Sequence, residues 1–134
     1  MKTTIVVDCS ALVEVVAGKS PERELLRRLM TSTASAPELI DAEAMSVLRR
    51  MERNLHLTSD DATFAMSRIT ASPVNRVPLR TLLRRAWELR HAVHTYDSLY
   101  LALAEELNVP LITCDAKLAG SNGHQVDIEV YPVS

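Results

Sequence analysis

"VVDCSALVEVV", residues Val6 to Val16, runs from a strand-like apolar stretch into a helix-like one, with Asp8 at the junction. The β-branched Ile5 to Val7 is short and apolar enough for a strand buried on both faces, as in a parallel sheet. Ala11 to Val16 then reads as a short helix ended near Gly18. Asp8 and Ser10 can cap that helix, since side-chain oxygens accept bonds from the free N–H groups of a first turn. A cap and a chemical role are both open for Asp8.

The same grammar recurs down the chain. "SPERELLRRLM" predicts a helix with Ser20 as N-cap and Pro21 at its first position. "TASAPEL" reads as a weak strand and turn, and Leu39 to Leu55 as a long helix of good helix formers. Another helix is expected from Ser59 to about Ala71, then a break at "SPVNRVPL" with a short strand near Val74 to Val77. Arg80 to Val93 and Tyr96 to Leu107 read as helices. "VPLITCD" is a second apolar strand ending in an aspartate, and Val126 to Val130 alternates like an edge strand. Strands alternating with helices imply an α/β fold, a mainly parallel sheet covered on both sides.

The chain has 134 residues, 47% of them hydrophobic, which is enough for one compact domain over residues 1–134. A net charge of −2 gives no global basic field of the kind that advertises nonspecific nucleic-acid binding. Arg nevertheless outnumbers Lys, with clusters at Arg27 and Arg28, at Arg49, Arg50 and Arg53, and at Arg84 and Arg85. No run approaches the ~20 apolar residues of a membrane span, and no basic-then-apolar signal segment opens the sequence. A soluble cytoplasmic protein is expected. Two cysteines, Cys9 and Cys114, are too few for a disulfide scaffold and are not spaced as a zinc site.

Four acids occupy comparable junctions: Asp8 after the first strand, Glu43 early in the long helix, Asp97 opening "YDSLYLALAEEL", and Asp115 after "LITC". Singly, each suits a first helical turn, where the helix dipole favours an acid by ~0.3–1 kcal/mol. Together, among apolar neighbours, they would repel, and such a group raises its own pKa values or recruits a cation. Oxygen ligands without His or Cys point to Mg²⁺ or Mn²⁺, which serves phosphodiester hydrolysis by polarising phosphate and activating water. A haloacid-dehalogenase-like phosphatase would carry a second Asp where Ser10 stands, and a receiver domain an acidic pair beside Asp8. No glycine-rich nucleotide loop exists among three glycines.

"VVDCSALVEVV", "APELIDAEAMSVLRR", "TYDSLYLALAEELNVPLITCD" and the following "DAKLA" together resemble the PIN-domain family, and within it the small VapC-type toxin ribonucleases. The resemblance implies a three-layer α/β/α sandwich around a sheet of about five strands. It implies Mg²⁺- or Mn²⁺-dependent endoribonuclease activity, homodimerisation, and neutralisation by a cognate VapB-type antitoxin. Motif by motif, Asp8, Glu43, Asp97 and Asp115 fall on the acidic catalytic positions. Asp8, Asp97 and Asp115 are the expected metal ligands, joined by Glu43 or leaving it to orient the nucleophile. Ser10 and Thr113 match polar supporting positions. Some relatives carry a further acid where this chain has Ala116 and Lys117, so one or two metals remain open.

Arg49, Arg50 and Arg53, downstream of Glu43 on one helix, are candidates for RNA or antitoxin contact, though they cannot all face one way. His91 and His94 are read as cations near a helix end. Trp87, Tyr96 and Tyr100 are read as core or dimer residues more readily than as base-stacking ones. The apolar residues of the first two helices are core, or in part an antitoxin surface. The resemblance also places the strands before Cys9 and Cys114 side by side, giving an expected redox-sensitive thiol pair. Rival functions are a noncatalytic PIN-fold interaction module and a metal-dependent phosphatase.

Overall fold

The computed structural model describes residues 2–134. Five strands form one sheet: β1 (Thr3–Val7), β2 (Ser32–Pro37), β3 (Asn75–Val77), β4 (Leu111–Thr113) and β5 (Ile128–Val130). Their order is β3-β2-β1-β4-β5 and every neighbouring pair is parallel. The helices are α1 (Cys9–Ala17), α2 (Arg23–Met30), α3 (Leu39–Arg53), α4 (Ser59–Ala71), α5 (Leu83–Glu88), α6 (Thr95–Leu107) and α7 (Ala116–Ala119). A 3₁₀ turn, Leu79–Leu82, precedes α5.

The expected α/β class is the observed one. From β1 the chain steps to β2 and β3, then crosses back over β1 to reach β4 and β5. Right-handed crossovers in opposite directions place helices on opposite faces of a sheet. Accordingly α1 packs with α2, α3 and α4, whereas α5 packs on α6, and α6 lies against β1, β2 and β4. Ile5, Val6, Val7, Leu111 and Ile112 have no exposed surface, as expected for central strands covered on both sides. The direction of stepping reverses between β1 and β4. Clefts in open parallel sheets form at that reversal, beyond the carboxyl ends of the strands.

Some expected boundaries move. α2 begins at Arg23 with Glu22 before it and no side-chain cap. Ser20 lies outside the helix and is not its cap; its N–H donates to Ser134 Oγ at 3.0 Å. The helix expected over Arg80 to Val93 shortens to a 3₁₀ turn and α5, since residues 89–93 are consumed in reversing the chain toward α6. β2 is a well-paired internal strand although it is built from Ser, Thr, Ala and Pro. Small side chains suit a strand pressed between two helical layers, where context outweighs β-propensity. Arg76, in β3, donates to the Ile69, Ser72 and Val74 carbonyls and pairs with Asp41 on α3, tying the end of α4 and the chain after it to α3.

Candidate active site

β1 delivers Asp8 and β4 delivers Thr113, which lie side by side because the Asp8 N–H donates to the Ile112 carbonyl at 3.0 Å. Asp8 is the N-cap of α1: its Oδ1 accepts from the Ala11 N–H at 3.1 Å and from Ser10 Oγ at 2.7 Å. Its Oδ2 accepts a short bond from Thr113 Oγ1. The cap and the site are therefore the same carboxylate. Ser10 Oγ also accepts from the Cys114 N–H at 2.9 Å, and Thr113 Oγ1 from the Asp115 N–H at 3.0 Å. Two hydroxyls thus tie the start of α1 to the end of β4.

Asp115 caps α7 through Oδ1, which accepts from the Lys117 N–H at 3.0 Å. Asp97 lies in the first turn of α6. Glu43, one turn into α3, accepts from the Tyr100 hydroxyl at 2.7 Å. All four acids line one cleft of about 750 Å³, together with Ser10, Glu14, Arg50 and Tyr100. The sequence-predicted acids converge. Thr113, with no exposed surface, supports the cleft from behind rather than lining it.

The electrostatics follow from crowding. Burial pushes the Asp8 carboxyl up, its three hydrogen bonds pull it down, and the Asp97 charge pushes it up further. Burial raises Glu43 as well; the Tyr100 bond opposes this, while Asp8 and Asp97 reinforce it. Asp97 is raised by burial and by Asp115, against a lowering influence of His94. Among the described residues no Arg, Lys or His forms an ion pair with any of the four acids. An oxygen-only donor set that is short of positive charge suits a hard divalent cation. Among the described residues no three of these groups are already gathered into a cation cage.

The other candidates separate. Arg50 lines the cleft, whereas Arg49, turned by about 100° on the same helix, and Arg53, in its last turn, do not. His91 and His94 do not share a helix face, because residue 91 lies in the turn between α5 and α6 and His94 just precedes α6. Cys9 and Cys114 are both free thiols. Burial, with nearby Glu43 and Asp8, pushes Cys9 up to about 12, and burial with Asp8 and Glu14 pushes Cys114 up to about 11.

Two site residues escaped the sequence reading. Tyr100 lies three residues after Asp97, so it shares that face of α6, and it is turned inward onto Glu43 rather than outward onto a base. Glu14, 6% exposed, belongs to the stripe of Ser10, Val13, Glu14 and Ala17 that α1 turns toward the cleft. Its Oε2 accepts from the Ser134 N–H at 2.9 Å and from Ser134 Oγ at 2.6 Å. The stripe is legible as helical spacing, but its polar partner, 120 residues away, is not.

Residues 5–120 match the family model described as the PIN domain. The chain belongs to the PIN-domain family. Among PIN-domain relatives it is similar to Ribonuclease VapC12 of Mycobacterium tuberculosis, 36% identical over 126 residues that cover 94% of this chain and 98% of that protein. Ribonuclease VapC1 of the same organism is 39% identical over 127 residues, covering 93% and 96%. The PIN fold is matched structurally by VapBC2 from Rickettsia felis bound to a DNA fragment from its promoter. That match has a TM-score of 0.68 at 14% identity and covers 96% of this chain and 98% of that one.

Proposed function

We propose that residues 1–134 act as one PIN domain, a metal-dependent endoribonuclease toxin hydrolysing RNA phosphodiester bonds and neutralised by a VapB-type antitoxin. The observation that carries this reading is the convergence of Asp8, Glu43, Asp97 and Asp115 on one cleft of a chain 36–39% identical to named ribonucleases over nearly its whole length. A noncatalytic module would have no chemical use for four acids held together against their repulsion. The named relatives are ribonucleases, which favours RNA over a small phosphate ester as substrate.

Asp8, Asp97 and Asp115, with Glu43, would hold Mg²⁺ or Mn²⁺, whose Lewis acidity polarises a phosphate and lowers the pKa of water. The chain's own residues do the rest. Ser10 and Thr113 fix the Asp8 carboxylate from both sides, so it faces the cleft in one orientation. Tyr100 holds Glu43 by Oε1, which leaves Oε2 to take a proton from an attacking water. Arg50, on the cleft wall, contacts RNA phosphate.

An antitoxin has a suitable seat elsewhere. A groove of about 390 Å³ is walled by Leu12, Val15, Val16, Leu26, Leu29 and Met30, and Met30 is 74% exposed. Apolar walls at helical spacing fit the apolar face of an amphipathic helix. Homodimerisation and action in the cytoplasm belong to the same reading. No helix among the described residues is long and apolar enough to cross a membrane.

The test uses purified chain freed of antitoxin, total cellular RNA, and Mg²⁺, Mn²⁺ or chelator, with a small phosphate ester run in parallel. Discrete metal-dependent RNA ends, absent with Asp8→Asn while its circular dichroism stays native, are expected. Undiminished cleavage by Asp8→Asn would reject the site, and turnover of the ester alone would favour the phosphatase.

A further inference from the structure

α3 ends on a residue that its own stability does not explain. Past Arg53, the Leu55 N–H donates to the Glu52 carbonyl at 3.0 Å and the His56 N–H to the Met51 carbonyl at 2.8 Å. That pair of closing bonds puts the first donor in the left-handed region, and Leu55 has φ of 62°. Glycine or asparagine takes this conformation with least strain. Among the described residues the other non-glycine residue at positive φ is Asn108, at the end of α6. In α3 the asparagine, Asn54, comes one residue too early, and the left-handed place falls to a leucine. Packing gives nothing back, because the Leu55 side chain is 89% exposed and fills no core space. A local rule broken without a folding gain points to function.

Its place in the molecule says which function. The acidic cleft follows α3 from Glu43 through Val47, Arg50 and Met51 to Leu55 and His56, just past the helix end. At a rise of 1.5 Å per residue, Leu55 stands roughly 15–18 Å along the helix from Glu43. The cleft likewise follows α1 from its cap, Asp8, to Lys19, just past its end. Asp8 and Glu43 thus mark the starts of the two helices, whereas Lys19, Arg50 and His56 stand toward their ends. Among the described residues none of these three basic side chains pairs with a carboxylate. A ligand lying along the cleft meets acids at one end and basic groups with an apolar side chain at the other. RNA suits that far end, since its phosphates match the basic groups and its bases offer flat apolar faces.

We infer that Leu55 is a specificity-determining residue, an apolar finger against which a base remote from the scissile phosphate seats, so that the identity of that base selects the cut. The inference rests on the ribonuclease reading and adds to it a residue that chooses among RNA sites. The strained backbone is kept because it aims the side chain at the bound substrate instead of at the core.

Leu55→Asn supplies a residue that the left-handed position accepts and removes the apolar contact, whereas Leu55→Met keeps an apolar side chain there. Each chain, freed of antitoxin, is given total cellular RNA with Mg²⁺ or Mn²⁺ and its cut ends are mapped. Leu55→Asn should melt as high as wild type or about 1–3 °C higher. It should cut the preferred wild-type sites about tenfold less well in kcat/KM and spread its cuts over other sequences. In chelator, anisotropy of a labelled RNA carrying a preferred site should show binding weakened about fivefold by Leu55→Asn. Leu55→Met should bind and cut close to wild type. An unchanged map and rate for Leu55→Asn, with wild type cutting, would overturn the inference alone, and a lowered melting temperature beside that unchanged map would make Leu55 a structural residue. Weaker antitoxin capture, or loss of dimer in sedimentation, with the map unchanged would reassign the side chain to a protein contact. A metal-loaded wild type that cuts no RNA would remove the ribonuclease reading and the inference with it.

Discussion

Thr113 shows how much of the site depends on one hydroxyl. Its Oγ1 donates to Asp8 Oδ2, accepts from the Asp115 N–H, and lies 3.2 Å from Ser10 Oγ, all without exposed surface. Thr113→Val keeps the shape and removes these bonds, leaving a buried carboxylate oxygen and a half-buried N–H without this partner. A loss of ~1–3 kcal/mol in urea unfolding is expected, with cleavage down at least tenfold because Asp8 is freed on one side. Thr113→Ser should retain most of the activity. Wild-type cleavage by Thr113→Val would show that the bond does not position Asp8. Asp8, Asp97 and Asp115 were legible in the sequence because each sits where a strand or loop gives way to a helix, and Glu43 because it lies one turn into the long helix. The Tyr100 bond to Glu43 and the Glu14 bond to Ser134 were not, since each joins residues that only the tertiary fold brings together.

Among the elements, α5, α6 and the chain leading into β5 are held by one carboxylate. Glu105 accepts from Arg85 Nε at 2.6 Å and Nη2 at 3.1 Å, and from the Gln125 N–H at 2.9 Å, while Arg85 also reaches the Gly123 carbonyl. The Arg85 guanidinium holds the Glu105 carboxyl below its ordinary value; burial opposes it, and the Gln125 N–H reinforces it. A lowered folded-state pKa contributes stability that is fully present above the unfolded glutamate value, about 4.3. It is lost as pH falls through the folded value. Chemical unfolding should therefore show Glu105→Gln less stable than wild type at pH 7, with the gap closing as pH drops below about 4. A gap independent of pH would assign the loss to packing. Elements with strong periodicity were readable at this scale: β1, α3, α4, α6 and β4 fall where their apolar spacing put them, within a residue or two at most ends. α2 and α5 are shorter than expected: α2 starts only after Pro21 and Glu22, and residues 89–93 go into the reversal toward α6, which is not a local signal.

At the scale of the whole molecule, the two candidate partner surfaces use different residues. The apolar groove is built on α1, α2 and the end of α4, while the acidic cleft is lined mainly from α1, α3 and α6 and shares no residue with the groove. Binding of antitoxin and cutting of RNA should thus be separable by mutation. Met30→Glu places a charge in the groove at an already exposed position, so it should change thermal stability little. It should weaken capture by the cognate antitoxin at least tenfold and leave cleavage by the free chain unchanged. Equal antitoxin affinity in a direct titration would move that surface elsewhere. Finally, β1 pairs with β4, and Asp8 meets Thr113 across 105 residues of sequence. Contacts of such separation form late, after the intervening loop has been closed. On the ribosome, a nascent chain emerges amino end first, so Asp8 is outside long before β4 exists to receive it. A cell making this protein holds an inert polypeptide until β4 has been made, and the candidate site closes only then.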